Sequence, residues 1–180
     1  MKDSDIISQL VGAYSGLSSD VTATNTSYKE LVQYYCTDWD FILTRAEANG
    51  FLVTADAGKV SVKAPQVESE PVLTLTYGID LTSFGADVDA TAQFSVVKGF
   101  AWSPTDQAIQ EAQAGPNQLT GQGDLAADTL AGVIAPNYFR LQTSVPLDNS
   151  TLTDWVKGQQ VKSGLARIRG HAAFQGSAKV

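Results

Sequence analysis

The stretch "CTDWDFILTRAEANGFLVTADAGKV", residues 36–60, decides the fold, because the spacing of its apolar residues changes in the middle. Before Gly50 they recur every three or four positions, which is typical of a helix with one buried stripe. After Gly50 they alternate with polar residues, which is typical of a strand, and Asp56-Ala57-Gly58 supplies a tight turn. The stretch therefore predicts a helix followed directly by a β-hairpin.

The helix carries its own start and stop signals. Thr37 or Asp38 supplies the N-cap and Asn49-Gly50 supplies the stop. Its predicted buried stripe consists of Trp39, Ile42, Leu43 and Ala46.

The sequence before this stretch predicts one more helix. Its apolar face is formed by Ile6, Ile7, Leu10, Val11 and Tyr14. Ser4 or Asp5 can cap its start, and Gly16 can end it in a left-handed turn. Residues 18–27 are predicted to form a polar loop, and residues 28–35 fit a short strand or a short helix equally well.

The sequence after the hairpin alternates between strand and helix signals. Strands are predicted over 71–78, twice within 81–102, over 137–146 and over 171–180 at the chain end. Helices are predicted over 103–115, starting at Ser103-Pro104, and over 124–136. A third begins after Ser150, although Gly158 and Gly164 weaken that prediction. Residues 115–123 form the best loop candidate.

This order of elements predicts an α+β fold, mostly β: an antiparallel barrel-like sheet with a few short helices. Residues 1–180 are expected to form a single domain, with a possible small helical lobe within 103–136.

Composition excludes several classes of function. A net charge of −7 leaves no basic surface for a phosphate backbone, so no nucleic acid partner is expected. Cys36 is the single cysteine, which excludes a disulfide framework within the chain and a multi-thiolate zinc site, and it is expected to be half-buried. No apolar run reaches the ~20 residues of a membrane span, and no secretory signal is visible, so we expect no direct membrane anchor and synthesis in the cytoplasm.

The acids of the opening stretch are candidates for catalytic residues. Asp40 and Glu47 share a helix face but lie ~10 Å apart along the axis, too far to share a proton. Asp38 and Asp40 are well placed to favour the helix N-terminus. No catalytic, cofactor or metal residue is therefore predicted: His171 is the only histidine, and "GQGD" at 121–124 lacks the lysine of a phosphate loop.

The opening stretch also carries a family resemblance. It resembles the Vgr-type (Rhs element) spike proteins of type VI secretion and the late-control D hub proteins of contractile phage tails. The resemblance lies in fixed spacings and continues through residues 71–109 and 164–180, but residues 115–136 match nothing in that family. The matching positions are Gln33, Tyr34, Thr37, Asp38, Trp39, Asp40, Phe41, Arg45, Glu47 and Gly50.

The resemblance implies a structural role rather than an enzymatic one. It implies a homotrimeric baseplate hub in the full-length protein, joining a hexameric tail-tube protein to a membrane-piercing needle, with effectors or baseplate proteins as further partners. Such a protein is made in the bacterial cytoplasm and is then delivered by the machine or assembled into a virion tail. The resemblance also implies that Trp39, Phe41 and Leu43 pack on the barrel while Arg45 and Glu47 bond to neighbouring strands.

An alternative of another class is a carbohydrate-active or cell-wall-degrading enzyme. It would use Asp38, Asp40 or Glu47 as acids, and Trp39, Trp102 or Trp155 as a sugar platform. These tryptophans are otherwise expected to anchor a core or an interface.

Overall fold

The computed structural model describes residues 1–67, 69–115, 119, 125–136 and 138–176. Its four helices are α1 (Asp3–Gly12), α2 (Asp38–Ala48), α3 (Ala127–Ile134) and α4 (Asn149–Leu165). Its eight strands are β1 (Ser18–Val21), β2 (Leu52–Asp56), β3 (Lys59–Lys63), β4 (Leu81–Val88), β5 (Val97–Ser103), β6 (Ala108–Ala114), β7 (Phe139–Thr143) and β8 (Ile168–Phe174). The predicted α+β class is confirmed.

The strands form three small sheets instead of one closed barrel. In the order β1-β3-β2, the first sheet pairs β3 parallel to β1 and antiparallel to β2. The second sheet has the order β6-β5-β7. It is also mixed, because β5 runs antiparallel to β6 and parallel to β7. The third sheet is a two-stranded antiparallel ribbon, β4–β8. The expected sheet is therefore divided and partly parallel.

The opening stretch folds as its sequence predicts. The Thr37 hydroxyl accepts the Asp40 N–H at 3.1 Å, which makes Thr37 the N-cap of α2. Asn49 is the C-cap, and β2 and β3 then form the predicted hairpin. Its turn residues Ala57 and Gly58 both have positive φ, 45° and 80°, as a tight two-residue hairpin turn requires.

The other elements correct several predictions. The N-cap of α1 is Lys2, not Ser4 or Asp5, and the helix ends at Gly12, ahead of the left-handed turn at Gly16. The predicted polar loop 18–27 contains β1, which pairs with β3. Residues 28–35 form neither of the two elements that their sequence allowed.

Two predictions in the middle of the chain were wrong. Residues 71–78 make one isolated bridge, Tyr77 to Leu81, instead of a strand. The predicted helix after Ser103 is β6, because the "SPTDQ" stretch turns the chain back onto β5. The Ser103 hydroxyl accepts the Asp106 N–H at 3.3 Å and closes this turn. The described part of 103–136 thus holds β6 and α3 rather than two helices.

Most of the remaining predictions hold. The helix α3, the strands β4, β5 and β7, and the long helix α4 occur where they were expected. The last strand begins earlier than predicted, at Ile168, and residues 177–180 lie outside the described residues. Most of the predicted loop 115–123, and all of the "GQGD" stretch at 121–124, also lie outside them. None of the helices described is long and apolar enough to cross a bilayer.

Two small apolar cores stabilise the fold. The first lies between α1, α2 and β3, with Ile7, Ile42 and Val62 nearly inaccessible to solvent. The second lies between β5, β6 and α4, and it buries Val97, Leu152 and Val156. Helix α4 belongs to the second core and also lies against the end of α2.

The glycine that weakened the sequence prediction for α4 is what allows this contact. A Cβ added at Gly158 would lie 2.9 Å from the carbonyl oxygen of Glu47 and 3.0 Å from the backbone nitrogen of Gly50. Both neighbours are backbone atoms, which cannot move aside as a flexible side chain would. The helix therefore tolerates a glycine in its interior because only glycine fits against α2.

We expect Gly158→Ala to lower the free energy of unfolding by ~1–3 kcal/mol through overpacking, although alanine favours a helix. Urea denaturation would measure the change. Gly132→Ala in α3 is the matched control, since its Cβ would meet nothing within 4 Å. That control should be stabilising by ~0.5–1 kcal/mol. Equal effects of the two substitutions would contradict the close contact.

Candidate functional site

The three acids proposed for catalysis are each engaged with a different partner. Asp38 accepts hydrogen bonds from the Tyr14 hydroxyl at 2.7 Å and the Gln33 amide at 2.8 Å. Asp40 accepts one from the Thr37 hydroxyl at 2.7 Å, within the capped first turn. Glu47 forms an ion pair with Lys162 of α4. The contacts of Asp38 and Glu47 therefore connect α2 to neighbouring segments, whereas that of Asp40 belongs to the N-cap of α2.

Electrostatics agrees with that assignment for Asp38. Its hydrogen bonds from Gln33 and then Tyr14 hold the pKa of the carboxyl below its usual value. A general acid near neutral pH needs the opposite shift, because it must keep its proton until the reaction. Asp38 is therefore an ionised acceptor.

Arg45 is at the centre of a buried network that joins α1, α2 and the segment between β1 and α2. Its Nε donates to Asp3 Oδ1 at 2.7 Å and its Nη2 to Asp3 Oδ2 at 3.1 Å, a two-point ion pair. The same Nη2 donates to the Tyr28 hydroxyl at 2.8 Å, and Asn49 donates to Asp3 Oδ2 at 2.8 Å. The Asp3 side chain is 1% exposed. Arg45 thus bonds to a helix, where the resemblance implied a strand.

Burial raises the pKa of Tyr28 to about 12, with the Asp3 charge acting in the same direction and Arg45 opposing it. Burial alone would lower the pKa of the Arg45 guanidinium, but hydrogen bonds and charge from Asp3 raise it further above its usual value. The network is accordingly an ion pair with a neutral phenol beside it.

The other motif residues are more exposed than the resemblance implied. Tyr34 is 86% exposed, Trp39 46% and Leu43 38%, so the predicted buried stripe of α2 is reduced to Ile42 and Ala46. Phe41 is half-buried beside α1 and does not pack on a barrel.

Two open apolar grooves are formed around α2. The larger, about 500 Å³, lies between α1, α2 and residues 28–33, and Glu30 is its one carboxylate. The second, about 310 Å³, lies between α2, β2 and α4, and its one carboxylate is Glu47. Neither groove pairs two carboxylates.

The remaining candidate side chains are dispersed over the fold. Cys36 is exposed, where the sequence predicted half-burial. His171 lies exposed on β8. Trp155 packs against the second core, whereas Trp102 on β5 is 46% exposed. Within the described ranges, no three His, Cys, Asp or Glu side chains come together as metal ligands would.

Of the four residues in the Arg45 network, the sequence singled out only Arg45 and missed the other three. The signal for Asp3 was its place in the first turn of α1, where an acid normally favours the helix end in solvent. The sequence does not indicate a buried partner for Tyr28, because Tyr28 lies in a segment without regular structure. It does not indicate one for Asn49 either, because Asn49-Gly50 is a typical helix end. Only the long-range contact between α1 and α2 brings them together.

We expect Arg45→Met to lower the free energy of unfolding by ~3–5 kcal/mol at pH 7, since it leaves the Asp3 carboxylate buried without its partner. Urea denaturation would measure the loss. Lys162→Met, which breaks the exposed pair with Glu47, is the control and should cost less than ~1 kcal/mol. Similar losses for both variants would show that the Asp3–Arg45 pair is solvated.

The Tyr28 hydroxyl should keep its proton to a higher pH than the hydroxyl of an ordinary tyrosine. Its folded pKa is raised, so the stability it contributes is complete below about pH 10 and is lost as the pH rises towards 12. Ultraviolet phenolate absorbance of the six-tyrosine chain should therefore be unchanged by Tyr28→Phe up to about pH 11. Circular dichroism would confirm that the fold persists. A loss of one tyrosine's phenolate signal at pH 10–11 would refute the burial of Tyr28.

The described architecture has counterparts among solved structures. A tail protein from Neisseria meningitidis MC58 is similar over 98% of this chain, with a TM-score of 0.62 and 14% identity. A 43 kDa tail protein of prophage MuSo2 from Shewanella oneidensis is also similar over 98% of this chain, with a TM-score of 0.64 and 10% identity. The chain spans about half the length of each, 50% in both cases.

The fold is therefore shared with these tail proteins. No curated protein matches the chain. The family model for the Alg8 N-terminal domain matches residues 1–180 in full. The chain belongs to the Alg8 N-terminal domain family.

Proposed function

We propose that this chain is a structural part of a contractile tail or of a related injection machine, at the hub that joins the tail tube to the needle. The proposal is supported by the fold, which two tail proteins share along nearly the whole chain. It is also supported by the family resemblance of residues 33–50, whose spacing matches hub and spike proteins.

The observation that carries the proposal is the β4–β8 ribbon. Phe84, Val88 and Ile168 are 63%, 47% and 41% exposed on it, although strands normally bury their apolar side chains. An exposed apolar sheet face with unpaired edges marks a surface for association with another polypeptide. A subunit of an assembly needs such a surface.

The geometry of the acids supports this function over the glycosidase alternative. Glycoside hydrolysis needs two carboxylates ~5–9.5 Å apart across a cleft. Asp40 and Glu47 lie ~10 Å apart along the axis of α2. Asp40 is bonded to Thr37, the N-cap of its own helix, and Glu47 pairs with Lys162 on α4. The two acids thus have separate structural roles.

The proposal extends to the assembly expected of a hub. The full-length protein would form a homotrimer that binds a hexameric tail-tube protein on one side, with effectors or baseplate proteins as further partners. It would be made in the bacterial cytoplasm and leave the cell with the machine or in a virion tail. The machine could be a phage-type tail or a type VI secretion spike. The first is favoured, because both structural neighbours are tail proteins.

The full-length protein should form a trimer and sediment with assembled tube protein from the same genome. Analytical ultracentrifugation of the protein alone and of the mixture would measure both. The proposal would be refuted if the full-length protein stayed monomeric and did not bind the tube protein. Peptidoglycan release by the wild type, lost in Asp40→Asn, would support the enzyme instead.

A further inference from the structure

The β4–β8 ribbon has one polar face and one wholly apolar face. Its register pairs Phe84 with Ala172, Ala86 with Gly170 and Val88 with Ile168, and these six residues share the apolar face because side chains alternate along a strand. The opposite face carries Asp87 across from Arg169 and Gly85 across from His171. In the described part of the chain, no other helix or strand packs extensively against either strand.

Leu81 at the start of β4 is bridged to Tyr77, but farther along both edges of the ribbon offer backbone groups that have no partner among the described residues. The Asp89 N–H donates to the Arg167 carbonyl at 2.9 Å, which fixes which pairs of the ladder are hydrogen-bonded. In an antiparallel pair the bonded positions alternate, so the N–H and C=O groups of Phe84, Ala86 and Val88 point away from β8. The free donors and acceptors of β4 therefore belong to the residues that carry its apolar face.

Apart from an irregularity in the register between Leu81 and Ser83, at the start of β4, neither strand has the features that usually protect an edge. Natural edge strands carry proline, lysine or inward-pointing charges that stop another strand from pairing. The sequences of β4 and β8, "LTSFGADV" and "IRGHAAF", contain no proline and no lysine. Their charged residues, Asp87 and Arg169, lie on the polar face, where they do not hinder an incoming strand.

We propose that the edge of β4 binds an extended strand of another protein in the assembly, with alternating apolar residues and basic residues between them. The strand would pair with the free groups of Phe84, Ala86 and Val88 and continue the apolar face. Its basic residues would lie beside Asp87 on the polar face. The assignment of the partner to an assembly rests on the proposed function, whereas the binding itself does not.

Area and charge favour such a strand over a second copy of this chain. The ribbon as a whole has seven residue pairs, and at ~3.4 Å each they make a face ~24 Å long and ~240 Å² in area, of which the apolar residues are a part. A stable globular interface needs ~800 Å² per partner. Two copies would also bring together chains of net charge −7. A strand gains backbone hydrogen bonds from the edge in addition to the apolar contact.

The β4 edge suits such pairing better than the β8 edge. Phe84 and Val88 are strand-forming residues whose side chains can pair with apolar residues on a new neighbour. The outer positions of β8 are Ile168, Gly170 and Ala172, which offer less side chain for that contact. The incoming strand should therefore be found beside β4.

Amide hydrogen exchange of the 180-residue chain, followed by NMR, tests the proposal. The probe is an acetylated and amidated octapeptide with valine at alternate positions and threonine and lysine between them. At a peptide concentration ~10 times its Kd, exchange at Phe84, Ala86 and Val88 should slow about tenfold. The amides of Ile168, Gly170 and Ala172 should not change. A peptide with N-methyl groups on alternate residues should have no effect.

Two matched variants locate the binding surface. Phe84→Lys puts a charge on the β4 edge and should abolish the slowing, while Ile109→Lys, at a 66% exposed position on the edge strand β6, should leave it intact. Absence of slowing in the wild type, or its persistence in Phe84→Lys, would overturn the proposal. So would slowing that appears without peptide at higher protein concentration, because the occupant would then be a second copy.

The outcome is separable from that of the proposed function. A ribbon that binds no strand, in a full-length protein that still sediments with the tube, would refute this inference alone. A ribbon that binds the peptide, in a protein that ignores the tube, would refute the hub function alone.

Discussion

The fold depends on the backbone contact between Gly158 of α4 and the last turn of α2. Each of the two apolar cores is small, and neither spans the chain by itself. Gly158 lets α4, which belongs to the second core, lie within van der Waals distance of Glu47, Ala48 and Gly50 beside the first. The Glu47–Lys162 ion pair lies at the same junction. The two small cores are thus held against each other through the contact between α2 and α4.

The residues that carry the family resemblance also set the bounds and the position of α2. Thr37 and Asp40 start α2, Gly50 lets the chain leave it in a left-handed conformation, and Arg45 ties it to α1 through Asp3. A buried ion pair contributes little net stability compared with an apolar contact of the same size, but it penalises any arrangement that separates its partners. The motif therefore specifies how α1 and α2 are placed relative to each other.

The parts of the fold that sequence could predict are those with local causes. The N-cap of α2, the turn at Ala57-Gly58 and the long helix α4 depend on neighbours within a few residues. The errors arose where distant contacts decide. Residues 18–21 look polar, yet they form β1 because β3 provides an edge for them. The stretch after Ser103 has helix-favouring residues, yet β5 pairs with it as β6. The apolar face of the ribbon was invisible because its two strands lie in different parts of the sequence.

That separation also sets the order in which the ribbon can appear. Val88 pairs with Ile168 about 80 residues later, so β4 has no partner strand until the residues between them have been made. Closing so long a loop is slow and unfavourable until other contacts have formed. Until β8 has been made and has paired with it, β4 therefore lacks an ordered neighbour. The exposed apolar face shared by the two strands is consequently a late product of folding, because it requires a contact between distant parts of the sequence.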